Sequence, residues 1–205
     1  MKWIEEAARS IECPSCGYAL PLYFKYSKLV RCPACGSDIF LEDDAVRVAG
    51  ESSVPSDEPS LLKLHTSIEI EKKSYLPVGH IRYTTGPFFW DEWWLVDGRG
   101  DGVWLSVDDG DYMMERKIDY FLPEDSPRAF TLGRKFGEWI VTEVGEGICE
   151  SFEGELPELI ELGERFVYAH LSTVDGRVMS AEFYDGKASL FSGKWLDPYE
   201  MVVLG

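Results

Sequence analysis

"FFWDEWWLV", residues 88–96, is the stretch whose reading decides the fold. At the two-residue period of an extended chain, Phe88, Trp90, Glu92, Trp94 and Val96 fall on one face, and Phe89, Asp91, Trp93, Leu95 and Asp97 on the other. Both faces are mainly apolar, so this strand needs cover on two sides, as a central strand of a barrel or sandwich has. It runs into "DGRGDGVWLSV" (97–107), a turn followed by a second apolar segment. Asp-Gly pairs at 97–98, 101–102, 109–110, 175–176 and 185–186 separate further apolar runs, and Asp-Gly suits the positive φ of tight hairpins. Upstream, "LKLHTSIEI" (62–70) sets Leu62, Leu64, Thr66, Ile68 and Ile70 against Lys63, His65, Ser67 and Glu69, the alternation of a half-buried strand. The expectation is a mostly β fold, an antiparallel meander or barrel-like domain. Helical spacing is confined to residues 2–10, where Trp3, Ala7 and Ser10 share a side, and to a turn around 155–162.

Composition agrees with a packed protein: 45% of the 205 residues are hydrophobic and 14% aromatic, enough to fill a core. The 20 Lys and Arg against 37 Asp and Glu give a net charge of −17, which repels polyphosphate and argues against nucleic acid as the main partner. No apolar run reaches the length of a spanning helix, and "MKWIEEAARSIEC" carries charges where a secretion signal needs an apolar core, so a cytoplasmic location is expected. Three zones separate: a cysteine-bearing segment (1–41), a small-residue and acidic stretch expected as a linker (42–60), and an aromatic, glycine-punctuated remainder (61–205). Within the last, "WDEWWLVDGRG" can be laid over "SAEFYDG" with Glu92 on Glu182, which would make two related halves.

The cysteines carry the sharpest signal. "CPSCGY" (13–18) and "CPACGS" (32–37) are two C-x2-C knuckles with fifteen residues between them, the spacing of a zinc ribbon. Cys13, Cys16, Cys32 and Cys35 are the expected ligands, with "LPLYFKYSKLV" as a hairpin between the knuckles. Four sulfurs fill a tetrahedral site, so the zinc is structural; iron in a rubredoxin-like site and a pair of disulfides are the alternatives. Cys149 stands alone among Glu146, Glu150 and Glu153, which suits a buried, inert thiol.

Glu92, flanked by Trp90 and Trp94, is expected to be a structural carboxylate tied to backbone amides or a basic side chain. The alternative is a ligand or acid–base site in which Trp90, Glu92, Trp93, Glu155 and Glu182 take part, since an enclosed carboxylate has a raised pKa. The "DGRGDGVWLSVD" loop nearly fits a calcium loop, but Arg99 occupies a ligand position and the flanks are strands, so a hairpin turn is expected.

At "WDEWWLVD", "WLS", "FEGELPELIELGERFVYAHL", "SAEFYDG" and "FSGKWLDP" the chain resembles the domain-of-unknown-function 4178 family of bacteria, from about residue 61 to the end. The pattern residues are Trp90, Glu92, Leu95, Trp104, Leu105, Glu153, Gly154, Glu155, Leu156, Pro157, Gly163 and Glu182. The resemblance implies one β domain after a zinc ribbon and an accessory role near membrane-stress systems, with no catalytic residues. No Walker, G-x-S-x-G or dinucleotide fingerprint occurs, and an enzyme is not favoured. The leading expectation is therefore a non-catalytic module that binds partner proteins. Two others compete: nucleic-acid contact through Lys25, Lys28 and Arg31 interleaved with Tyr18, Tyr23, Phe24 and Tyr26, and a small-molecule or hydrolytic site at Glu92 and Glu182. Convergent carboxylates in a solvent-open cleft would favour the last; an exposed apolar patch without them would favour the first.

Overall fold

The computed structural model describes residues 7–42, 45–51, 60–119, 126–184 and 187–204, with backbone alone for 42 and 45–51. Its strands are β1 (Arg9–Glu12), β2 (Ala19–Leu22), β3 (Leu29–Arg31), β4 (Ser37–Glu42), β5 (Ala45–Glu51), β6 (Ile68–Ile70), β7 (Lys73–Thr85) and β8 (Phe88–Asp97). After them come β9 (Gly102–Asp108), β10 (Asp111–Ile118), β11 (Lys135–Phe136), β12 (Trp139–Leu156), β13 (Arg165–Ser172), β14 (Val178–Tyr184), β15 (Lys187–Leu196) and β16 (Met201–Val203). Among the described residues there is no α-helix, and the fold class read from the sequence holds.

Eight strands close into an antiparallel barrel. β7, β8, β9 and β10 pair in turn, β10 pairs with β15, and β14, β13 and β12 lead back to β7. Closure satisfies every edge that an open sheet would expose. The faces of β8 fall as the alternation requires: Trp94 lies opposite Trp104 and Glu92 opposite Ser106 on the inside, while Trp93 pairs with Leu105 on the outside. The outside is apolar because it too is covered. One pad, formed by Leu62, Ile68, Ile70 and Leu196, packs on Trp93, Leu95, Leu105 and Met114. Another, formed by Ala129, Phe130 and Phe136, packs on Ala169, Leu171, Met179 and Phe183. This is the physical reason for a strand apolar on both sides.

The long strand β12 organises the molecule. It pairs with β13 along its first half, with β7 from Ile148 to Gly154, and with β3 at Glu155 and Leu156, so the cysteine segment is hydrogen-bonded into the barrel sheet. Gly79 is required at this junction: a Cβ there would stand 2.0 Å from the Glu155 carbonyl oxygen. Inside, Phe24 from the cysteine segment packs with Trp94, Trp104, Val78 and Phe152. Its ring meets Trp94 edge-on at 5.2 Å, and together they plug one end of the barrel.

Several expectations need correction. Residues 62–70 do not form one strand: Thr66 N donates to Lys63 O and His65 sits at φ 61, which breaks the extended run and leaves Ile68–Ile70 as β6. The expected helix over 2–10 lies partly outside the described residues, and Arg9–Glu12 is a strand. The turn around 155–162 contains no helix; Glu155 and Leu156 end β12. Nor does "LPLYFKYSKLV" pair with itself. β2 pairs with β1 across the first knuckle and β3 with β4 across the second, because the amides of Tyr23 and Phe24 bond to a carboxylate instead of to a ladder. Part of the stretch expected as a linker forms β5 on β4. The Asp-Gly turns lie where expected between β9 and β10 and between β13 and β14; the 185–186 pair lies outside the described residues.

Candidate ligand cavity and metal centre

Register places a polar layer inside the end of the barrel away from the plug. Glu92 on β8 faces Ser106 on β9, Met113 on β10 lies opposite both Ser106 and Trp195, and Glu182 on β14 lies opposite Tyr168 on β13. These residues, with Glu115, Ser180, Trp90 and Phe166, line a cavity of about 180 Å³. Its rim carries Asp108, Asp111, Glu143 and Trp195, all exposed, so the cavity opens to solvent. Gly147 makes room in the wall: a Cβ there would lie 2.4 Å from the Phe166 ring and 2.7 Å from Trp90.

Enclosure dominates the electrostatics. Burial pushes Glu92 and Glu182 well above the usual carboxylate range, and mutual repulsion adds to it: the charge of Glu115 acts on Glu92, and those of Glu158, Glu92 and Glu115 act on Glu182. Burial also raises Glu115, against a hydrogen bond from the Ser180 hydroxyl. Below them, Glu158 joins Glu92, Glu115 and Glu182 around a void of about 10 Å³. At the rim, His170 Nδ1 lies 3.1 Å from Glu143, which also accepts from Tyr168 Oη at 3.0 Å; His170 holds the Glu143 carboxyl below its ordinary value.

The five residues expected at a ligand site therefore separate. Trp90, Glu92 and Glu182 meet in the cavity, although Glu92 and Glu182 are ninety positions apart in sequence. Among the described residues no backbone amide or basic side chain is bonded to Glu92; the Ser106 hydroxyl and the Trp90 indole are the groups that act on its carboxyl to lower it, against burial. Trp93 faces outward and stacks on His80 at 4.2 Å. There His80 and Arg82 both bond to Asp91, and the cross-strand register sets Arg82 directly opposite Asp91. Glu155 lies at the plugged end, where it accepts from Tyr23 N at 2.8 Å, Phe24 N at 3.1 Å and Ser27 Oγ at 2.8 Å. The amide-bound structural carboxylate expected at position 92 is at 155. Glu115, Ser106, Ser180 and the His170–Glu143 pair were not anticipated; the alternation of Ser180 with Glu182, and of Met113 with Glu115, was the available signal.

The cysteines form the second site. All four Sγ atoms lie within 4.8 Å of one another, with Cys13–Cys35 at 3.7 Å and Cys16–Cys32 at 3.8 Å. A tetrahedron with metal–sulfur bonds of about 2.3 Å has edges of about 3.8 Å, so the sulfur set fits a four-coordinate metal. Far too long for disulfide bonds, these separations leave the cysteines free. The knuckles are alike: Gly17 N donates to Cys13 O and Gly36 N to Cys32 O, with Gly17 and Gly36 at φ 73 and 74. Cys149 is buried and its thiol is pushed up to about 12 by burial, the inert state expected. In the near-calcium loop Asp97 accepts from the amides of Arg99 and Asp101 and pairs with Lys73 at 2.6 Å, which is a hairpin turn.

Of the residues considered for nucleic-acid contact, Arg31 is buried between Asp38 and the Phe152 ring, and Phe24 is in the plug. No helix among the described residues is long and apolar enough to cross a membrane. A family model described as domain of unknown function (DUF4178) matches residues 63–198, the span from the first barrel pad to the end of β15. No curated protein and no solved structure matches the chain.

Proposed function

The chain belongs to the family described as domain of unknown function (DUF4178), and from that premise we propose that its barrel is a receptor for a small molecule taken into the lumen. The cysteine segment, in this reading, is a zinc-held cap on the opposite end. The observation that carries it is the convergence of Glu92, Glu115 and Glu182 in a solvent-open cavity walled by aromatic rings. A barrel closed only for stability would fill that space with apolar side chains, as it does at the Phe24–Trp94 end. Enclosed carboxyl groups are costly to place unless something answers them. A bare protein-docking module has no need of such groups, and the ribbon's basic and aromatic residues are partly consumed in packing, which weakens the nucleic-acid reading.

Size sets the ligand's scale. An engineered cavity of ~150 Å³ takes up benzene, so about 180 Å³ accommodates on the order of six to eight non-hydrogen atoms. The zinc, held by Cys13, Cys16, Cys32 and Cys35, would supply folding energy of order 10 kcal/mol to the cap and thereby hold Phe24 against Trp94.

The test is a screen of neutral and charged fragments of that size by ligand-observed NMR on the full chain. Fragments should bind the native chain and be displaced from Ser106→Leu and Ser106→Phe, variants that fill the lumen, while far-UV circular dichroism stays unchanged. Binding that persists in folded lumen-filled variants, or no fragment binding at all, would overturn the reading.

A further inference from the structure

Resting on the receptor reading, the geometry points to the ligand's chemistry: a small primary amine, its ammonium seated among Glu92, Glu115 and Glu182 and its hydrocarbon body along Trp90, Phe166 and Tyr168.

Three independent observations converge on this. The first is spare acceptor capacity. Glu115 is 6% exposed and faces the cavity, with Ser180 serving one of its oxygens. The Glu182 carboxylate meets no hydrogen-bond donor among the described residues. No Lys or Arg lines the cavity among those residues, and His170 at the rim is engaged with Glu143. The lumen thus collects carboxyl groups whose ionisation is opposed by burial and mutual repulsion and offset only in part by the charges of Lys117 on Glu182 and of His170 on Glu115, so that a cationic ligand would let them ionise.

The second observation separates an ammonium from a metal ion. Among the described residues the four cysteines are the group whose ligand atoms lie close enough together to share one ion; the three glutamates do not form such a group. They surround a larger space, about 180 Å³, so the complement is a cation with a body. A primary ammonium carries three N–H donors that can reach three separate carboxyl groups, which a quaternary ammonium lacks. Such charge-assisted hydrogen bonds are about twice as strong as neutral ones.

The third is the wall. Trp90, Phe166 and Tyr168 form one aromatic surface, with ring centroids 5.5 Å apart for Trp90–Tyr168 and 6.2 Å for Trp90–Phe166. Aromatic faces attract a cation and also bury methylene groups, so the same surface serves both parts of an aliphatic amine. The size limit corresponds to a chain of roughly four to six carbons.

The experiment titrates n-butylamine, 1-butanol and tetramethylammonium into the full metal-loaded chain, by calorimetry and tryptophan fluorescence, with Glu182→Gln, Glu115→Gln and Ser106→Phe in parallel. Butylamine should bind at least tenfold more tightly than butanol or tetramethylammonium, and each Gln variant that keeps the native circular dichroism spectrum should lose at least tenfold. Glu92→Gln replaces any variant that does not fold. Butanol binding as tightly as butylamine, in a manner abolished by Ser106→Phe, would overturn the amine inference and leave the receptor reading standing. Equal binding of tetramethylammonium would overturn the primary-ammonium assignment. Binding by none of the three probes would overturn the amine inference, and the fragment screen would then decide the receptor reading separately.

Discussion

The Glu155 carboxylate and the Ser27 hydroxyl, 128 residues apart in the chain, meet at 2.8 Å at the plugged end of the barrel. The same carboxylate takes the amides of Tyr23 and Phe24, so one side chain terminates the loop that carries Phe24 into the core. Glu155→Ala leaves the Tyr23 and Phe24 amides without an acceptor, while the Ser27 hydroxyl keeps the Phe24 carbonyl at 3.0 Å. Each orphaned donor costs about 1 to 3 kcal/mol, and with partial relaxation the loss should be on the order of 3 kcal/mol in urea unfolding. Glu155→Gln retains one acceptor oxygen and should lose less than half as much. Equal losses for the two would mean that the carboxylate acts through charge and not through these bonds.

Metal removal should be felt in the barrel as well as in the ribbon. Elemental analysis of the purified chain is expected to give about one zinc, the stoichiometry of a four-cysteine site. Because Phe24 packs edge-on against Trp94, chelation should shift tryptophan emission and lower the barrel's melting temperature. Cys13→Ser with Cys35→Ser should reproduce both effects without chelator. A chelated chain with unchanged emission would show that the cap and the barrel are energetically independent.

What the sequence made legible was local. Period-two alternation placed Trp90, Glu92 and Trp94 together on one face, and the apolar character of both faces of β8 pointed to a strand covered on two sides. Knuckle spacing picked out the four cysteines that come together because C-x2-C geometry is set within six residues. What it hid depends on closure. Glu115 sits in "DYMMERKI", where a charged residue reads equally well as an outward one; pairing of β10 with β15, and of β15 with β14, aims it at Ser180. The role of Glu155 was invisible for the same reason: its partners arrive from more than 120 residues away. Between Lys63 and Thr66, the alternation continued through a turn, since Leu62 is buried in either conformation.

On the outer wall, Asp91 is expected to be a point of acid sensitivity. Burial alone would raise its carboxyl, but hydrogen bonds from His80 and Arg82 outweigh that and hold it below its usual value of 3.8. A depressed folded-state pKa stabilises above the unfolded value and is lost as pH falls through the folded one, so this contribution disappears below about pH 4. Asp91→Asn removes the negative charge that faces the buried Arg82 guanidinium and should cost about 3 kcal/mol at pH 7. The gap between variant and native chain in urea midpoints should close as the pH is lowered from 5 to 3; a gap independent of pH would refute the electrostatic account.

The lumen carboxyls carry the opposite sign. Glu182, like Glu92 and Glu115, has its folded-state pKa raised above the usual 4.5, so between 4.5 and that raised value the folded chain holds protons that the unfolded chain has released. Stability from these groups is therefore fully present below about pH 4.5 and falls as pH rises, by up to about 1.4 kcal/mol per pH unit for each group in its window. Glu182→Gln mimics the protonated form in shape and hydrogen bonding while removing its titration, and it also relieves repulsion on Glu92. The variant should match the native chain near pH 4.5 and become progressively more stable than it toward pH 8, by thermal melting in buffers of constant ionic strength. The residual slope is then shared by the other carboxyls that burial raises, Glu92, Glu115 and Glu158 in the lumen, Asp108 at its rim and Glu155 at the plug. A variant that is less stable than the native chain at pH 8 would mean that Glu182 is ionised and compensated in the folded barrel, and the account of an unanswered lumen carboxylate would fail.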